Sequence, residues 1–147
     1  MAGFTATEQI AGSLQDIFDF IINPENASKV LTGVIENVQI TDGPIQVGTR
    51  FRETRRLNNK ETSMELEVVT FEPPHRYAAA GTQMGVTATY HYTLTPEEEG
   101  TRVDLEAEVT TGLLMKLMLP TIVKEMQKQD GDHLQMLKAA FERELAA

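Results

Sequence analysis

Apolar residues recur at helical spacing through the last third of the chain. Stepping at about 3.6 residues per turn from Met126 places them on one broad face of a helix over 113–145. The face consists of Leu119, Ile122, Val123, Met126, His133, Leu137, Ala140 and Phe141. Pro120 predicts a break or bend in this helix. About 30 helical residues extend over roughly 45 Å, so another broad element has to cover the apolar face.

The middle of the chain alternates between apolar and polar residues, which predicts strands. The predicted strands are 4–10, 34–41, 48–56, 62–71, 76–82, 85–95 and 101–111. Two short helices are predicted between the first two strands, with Ser13 as an N-cap and Asn23-Pro24 ending the first helix. Short links imply antiparallel neighbours. The predicted fold class is α+β, a curved antiparallel sheet wrapped around the long C-terminal helix, with the two short helices closing one end.

Small side chains occupy two neighbouring strands, at 78–82 and 85–89. Core strands usually carry branched or aromatic residues instead. If Met115, Met118 and Met126 hold the helix away from these strands, a cavity results, and if the helix sinks in, the core is solid. Methionines often line adaptable apolar sites. We therefore predict a pocket between the sheet and the helix.

The residues that alternate onto the inner face of each strand, together with the apolar face of the helix, identify candidate ligand-binding residues. They are Phe51, Glu53, Met64, Leu66, Tyr77, Ala88, Tyr90, Met118, Ile122, Met126 and His133. Glu53 follows Phe51 on one strand face, and Arg55 continues the alternation. A buried carboxylate is costly unless it is paired, although strand ends can also splay and let both charged groups reach water.

His133 lies near the middle of the apolar helix face, against the sheet or at the pocket mouth. Burial disfavours the imidazolium, so we predict that the pKa of His133 lies below its ordinary value of about 6.5. A neighbouring carboxylate such as Glu53 would raise the pKa instead, so the direction of the shift identifies the environment.

Composition narrows the classes of protein. The 147 residues are expected to form one domain over 1–147. The net charge of −9 makes nucleic acid an unfavourable partner. There is no cysteine, no evident signal peptide and no apolar window of about 18 residues, so we expect a cytoplasmic protein without a membrane span. We expect it to be a monomer or a homodimer. The three histidines share no metal-ligand spacing, and no nucleotide-binding loop or nucleophile elbow is present. We expect neither a metal nor a cofactor, and we recognise no catalytic motif.

Several segments resemble, in their order and spacing, those of a known family. They are the first helix with Asn23-Pro24-Glu25-Asn26 after it, Gly43-Pro44 with Val47-Gly48-Thr49, the link Phe71-Glu72-Pro73-Pro74-His75-Arg76, and the hairpin from Tyr92-Thr93-Leu94-Thr95 to Gly100-Thr101-Arg102-Val103. The order of elements is similar to the helix-grip fold. Over nearly its whole length the chain resembles the START/Bet v 1-like (SRPBCC) superfamily, and most closely its bacterial polyketide cyclase/dehydrase-like branch.

This resemblance implies a small hydrophobic ligand, such as a lipid or a polyketide-like or aromatic molecule, held between sheet and helix. It supplies no universal catalytic motif. One alternative is a cyclase or dehydratase, which would need an acid/base pair such as His133 with Glu53 or a tyrosine hydroxyl. Another is a partner-binding protein with a filled core. A cavity of about 300 Å³ or more, and the titratable groups in it, distinguish the three.

Overall fold

The computed structural model describes residues 2–146, which form one seven-stranded sheet with helices against it. The strands are β1 (Gly3–Ile10), β2 (Val34–Gln39), β3 (Arg50–Leu57), β4 (Lys60–Glu72), β5 (Arg76–Gln83), β6 (Val86–Glu97) and β7 (Gly100–Thr111). They lie in the order β1-β7-β6-β5-β4-β3-β2, and every neighbouring pair is antiparallel. The predicted helix-grip fold is confirmed. The strands are antiparallel because the short links between successive strands leave no room for parallel crossovers.

Two short helices follow β1. Helix α1 (Leu14–Ile22) begins at Ser13, whose Oγ accepts a hydrogen bond of 3.1 Å from the backbone N–H of Asp16. A 3₁₀ turn (Pro24–Asn26) and helix α2 (Ala27–Val30) come next. Ile17 and Phe18 of α1 are fully buried, so this helix packs over one end of the core.

The C-terminal helical segment consists of three pieces. A 3₁₀ turn (Leu113–Met118) leads into α3 (Leu119–Asp130), and α4 (His133–Ala146) follows. The first junction matches the break predicted near Pro120. The second, at Gly131-Asp132, was not predicted. A Cβ on Gly131 would lie only 2.4 Å from the carbonyl oxygen of Gln127, so the backbone there is too tight for any other residue.

The helical segment lies to one side of the sheet. Helix α4 packs against β1, and α3 packs against β1 and β7. On β7 the inward residues Val103, Leu105, Ala107 and Val109 are buried, as the alternation predicts. The contacts of α3 and α4 with the sheet are therefore concentrated on β1 and β7, at one edge of the sheet.

Candidate functional site

A cavity of about 650 Å³ lies between strands β3 to β6 and the helical segment. Small residues on β5 and β6 make this space, since Ala79, Gly81 and Ala88 are among its lining. The side chains of Met64 and Leu66 pack over Gly81, where a Cβ would lie 2.3 Å from the Cε of Met64. The core is therefore not solid, and a filled core does not describe this protein.

The structure brings most of the candidate binding residues together. Those that line the cavity are Phe51, Glu53, Met64, Leu66, Tyr77, Ala88, Tyr90, Ile122, Met126 and His133. Met118 does not line it and is 49% exposed, while Met115 lies there instead. The reason is that residues 113–118 form a 3₁₀ turn with about three residues per turn, so the α-helical phase from Ile122 does not extend back to Met118. Contact of this set with a ligand stays a prediction.

A set of charged, imidazole and hydroxyl-bearing residues crosses the mainly apolar cavity from β3 through the helical segment to β6. We call them the polar belt, and they are Glu53, Arg55, Tyr90, Tyr92, Asp130 and His133. Arg55 and Asp130 form a bidentate pair, with Nη1 donating to Oδ1 at 2.9 Å and Nη2 to Oδ2 at 3.2 Å. The Tyr90 hydroxyl also donates to Asp130. Both oxygens of this buried carboxylate are thus hydrogen-bonded, which offsets the cost of its desolvation.

Glu53 is the belt residue with free hydrogen-bonding capacity. Its Oε1 lies 3.6 Å from Nη2 of Arg55, too far for a hydrogen bond, and has no hydrogen-bond partner. Burial raises the pKa of the Glu53 carboxyl, and the charge of Arg55 only partly opposes this. Asn37 on β2 faces Glu53 across the sheet, lines the same cavity, and its Oδ1 is also buried without a partner.

His133 joins α4 to both α2 and the sheet. Its Nδ1–H donates to the carbonyl oxygen of Val30 at 2.7 Å, because a carbonyl can only accept. In the neutral ring Nε2 then has no hydrogen and accepts from the Tyr92 hydroxyl, also at 2.7 Å. Burial lowers the pKa of His133, the direction that the sequence predicted. Burial also raises the pKa of Tyr92, so this pair is uncharged near neutral pH.

The sequence-based set omits three residues of the polar belt, Arg55, Tyr92 and Asp130. Arg55 continues the alternation of the Glu53 strand face, but the sequence does not mark Asp130 or Tyr92 as its neighbours. The available signal was spacing, because Asp130 lies four residues after Met126 and therefore on the apolar face of the helix. A carboxylate in such a face requires a cation, and Arg55 provides it from 75 positions away.

Two kinds of feature are missing from the part of the chain that the structure describes. Among residues 2–146, no group of three or more histidine, cysteine or acidic side chains is placed to hold a metal ion. Across the same residues, no helix is long and apolar enough to cross a membrane.

Fold and cavity together define a helix-grip protein with an internal, mainly apolar pocket. Comparison with known proteins is more specific, since the profile of the family described as polyketide cyclase / dehydrase and lipid transport matches residues 1–142. The chain belongs to this family, and the resemblance noted from the sequence is confirmed. A search of curated proteins finds no match to the chain.

Solved structures share the fold at low sequence identity. Protein NE0264 of Nitrosomonas europaea aligns with a TM-score of 0.77 and 14% identity, covering 99% of this chain and 97% of its own. The structure of Ara h 8.0201 aligns with a TM-score of 0.72 and 12% identity, covering 95% of this chain and 97% of its own. The di-domain aromatase/cyclase StfQ of the steffimycin biosynthetic pathway aligns with a TM-score of 0.76 and 13% identity, and the alignment covers 98% of this chain. The chain spans about half of StfQ, or 51% of its length.

Proposed function

We propose that this protein binds a small, mainly apolar molecule that carries at least one hydrogen-bonding oxygen. The observation that supports this most directly is the cavity of about 650 Å³, which lies in the range typical of small-molecule sites. Its walls are mostly aliphatic and aromatic. The family description, together with the fold shared with the aromatase/cyclase StfQ, favours a lipid or polyketide-like molecule over other apolar ligands.

The polar part of the ligand is inferred from Glu53 and Asn37. A buried polar atom without a partner costs free energy, and each of these two cavity-lining residues has one such oxygen. A Glu53 carboxyl with a raised pKa can be protonated and donate to a carbonyl or hydroxyl oxygen. The Asn37 carbonyl oxygen can accept from a hydroxyl. A hydroxyl or ketone group on an apolar skeleton therefore matches this site.

Native mass spectrometry of freshly purified protein tests the proposal. We expect a fraction of the protein to carry a bound lipid or aromatic compound, which denaturation then releases for identification. Addition of the uncharged fluorescent probe N-phenylnaphthylamine should give saturable fluorescence. Absence of both a bound mass and saturable probe binding would overturn the proposal.

The first prediction concerns Ala88, a small residue of the cavity wall. Replacing Ala88 with tryptophan fills part of the cavity, and we expect the affinity for N-phenylnaphthylamine to fall at least about tenfold, since the new side chain takes the volume that the probe occupies. Circular dichroism and thermal unfolding check that the fold is kept. The matched control is Thr110→Trp on β7, which lies on the exposed face and should leave probe affinity unchanged. Equal affinity of Ala88→Trp and wild type would place the probe outside this cavity.

A second candidate function is proton-transfer catalysis of the cyclase or dehydratase type. The observation that favours it is again Glu53, a buried carboxyl with a raised pKa and an oxygen that has no hydrogen-bond partner. General acid–base catalysis is most effective when the pKa of the group approaches the working pH. The His133–Tyr92 pair is less suited to this role, because each ring nitrogen of His133 already has a hydrogen-bond partner.

The second prediction separates catalysis from binding alone. An aromatic β-diketone in D₂O exchanges the hydrogen between its two carbonyl groups, and NMR follows the rate. If Glu53 is a general base, wild type accelerates exchange by roughly 100-fold or more over Glu53→Gln. Glutamine keeps the shape of the side chain, so the affinity for N-phenylnaphthylamine should be similar in both proteins. Equal exchange rates with equal probe affinity would leave binding as the function.

A further inference from the structure

Exposed leucines project from the 3₁₀ turn between β7 and α3. Leu113, Leu114 and Leu117 are 87%, 96% and 92% exposed. Met84, at the tip of the β5–β6 turn, is 87% exposed. Val86 pairs with Thr111 in the sheet, so this turn lies beside the start of the 3₁₀ segment. We call Met84, Leu113, Leu114 and Leu117 the apolar rim.

The apolar rim lies at the opening of the cavity. Met84 and Met115 both line the cavity, and Met115 belongs to the same 3₁₀ turn as the three leucines. The leucines themselves do not line it. They point away from the protein, since nearly their whole side-chain surface meets solvent. Large apolar side chains exposed together mark a surface that another apolar phase covers.

The charge around the apolar rim differs from that of the whole chain. The net charge is −9, but segments 77–96 and 109–124 contain no aspartate or glutamate. Lys116 lies among the leucines and Lys124 follows in α3. Acidic groups more than about 10 Å away are largely screened at physiological salt. In its own chain segments the apolar rim is therefore accompanied by lysines and by no acidic residue.

We propose that the apolar rim docks this protein on an anionic phospholipid bilayer, with the leucines inserted at the interface and the cavity opening facing the lipid. Apolar side chains beside lysine are typical of segments that lie in the membrane interface, where anionic headgroups attract the ammonium group. A second copy of the chain fits less well. In a two-fold dimer the same patch meets itself, and Lys116 would approach its own copy.

Docking of this kind gives an apolar ligand a path between bilayer and cavity that avoids water. It is distinct from the binding function, because a protein could fill its cavity from solution and never touch a bilayer. The two proposals can fail separately, since the three leucines lie outside the cavity lining.

Vesicle sedimentation and surface plasmon resonance test the proposal with the full chain. The vesicles are phosphatidylcholine alone, and phosphatidylcholine with phosphatidylserine in equal parts. We expect binding to the phosphatidylserine vesicles that weakens as salt is raised. Leu113, Leu114 and Leu117 changed together to serine should lower this affinity by roughly 1,000-fold, because each leucine contributes about tenfold when buried. Lys116→Gln should lower it about fivefold and reduce the salt dependence.

Two controls make the result specific. Val47→Ser removes an apolar side chain that is 61% exposed outside the rim, and it should leave vesicle binding unchanged. The triple serine variant should keep wild-type affinity for N-phenylnaphthylamine, which shows that the cavity is intact. No vesicle binding by wild type, or equal binding by the triple variant, would overturn the proposal. A wild-type dimer that the triple variant converts to a monomer would also overturn it, in favour of a second copy at the rim.

Discussion

Replacing Arg55 with methionine is expected to lower the free energy of unfolding by about 3–5 kcal/mol, because it leaves buried carboxylates without their cation. Arg55 donates both hydrogen bonds of the pair to Asp130 and lies 3.6 Å from Glu53. Methionine fills much of the same volume, so the loss reports charge and hydrogen bonding more than packing. Urea unfolding at neutral pH measures it.

The neighbouring residue supplies a matched control. Arg56 also makes a 2.9 Å salt bridge, to Glu61, but both side chains are more than half exposed. Surface pairs contribute about 1 kcal/mol or less, so Arg56→Met should change stability little. Similar losses for Arg55→Met and Arg56→Met would contradict the conclusion that the polar belt is electrostatically coupled.

Asp130→Asn should lower the free energy of unfolding by less than Arg55→Met does. After this change Arg55 still has Glu53 at salt-bridge distance, whereas removing Arg55 leaves two carboxylates facing one cavity. Asparagine also keeps an oxygen that can accept from the Tyr90 hydroxyl. The order of the two losses therefore tests whether Arg55 is the shared cation of the belt.

Replacing His133 with leucine has the second large expected effect, a loss of about 2–4 kcal/mol at pH 7.5. The change leaves the Tyr92 hydroxyl and the Val30 carbonyl buried without partners, and each orphaned group costs about 1–3 kcal/mol. Chemical unfolding measures the loss, and His133→Gln should recover part of it, because its amide can engage the Tyr92 hydroxyl.

The loss of stability caused by His133→Leu should become smaller as the pH falls. The pKa of His133 is lowered in the folded state, so the unfolded chain binds more protons below about pH 6.5. The stabilisation by His133 is complete above that pH and declines as the pH falls through it, by at most about 1.4 kcal/mol per pH unit. Glu53 acts in the opposite direction, since its raised pKa gives stability that is present below the ordinary value and is lost as the pH rises. Glu53 is present in both proteins, so its contribution drops out of the difference between the free energies of unfolding of wild type and His133→Leu.

An NMR titration of the imidazole protons provides the direct check. We expect the pKa of His133 to lie below about 6.5. A value at or above this would contradict the burial of the ring. A raised value that returns to normal in Glu53→Gln would instead show that the two groups interact, and would strengthen the case for acid–base chemistry.

Local signals were sufficient for most of the fold. On β7 the alternation of Val103, Leu105 and Ala107 with charged neighbours predicts which face is buried, because side chains of a strand point to opposite faces in turn. Ser13 and Pro24 mark helix boundaries through their own backbone chemistry. Short links then imply antiparallel pairing.

The cavity was predictable only in outline. Small residues at Ala79, Gly81 and Ala88 indicate spare volume, but whether a helix fills it depends on where the helix lies. Here α3 and α4 pack against β1 and β7, and this off-centre position leaves the space open. Met118 illustrates the same limit, since a local 3₁₀ turn changed its helical phase.

The sequence by itself determined the strands, the boundaries of the first helix, the antiparallel order and the buried position of His133, because these follow from the period and chemistry of neighbouring residues. Only the tertiary structure decided the polar belt. Asp130 is one acidic residue in an apolar helix face until the fold brings Arg55 and Tyr90 to it from 75 and 40 positions away. Nothing near Asp130 in the chain specifies those partners, since the pairing depends on how a distant sheet curves around the helix.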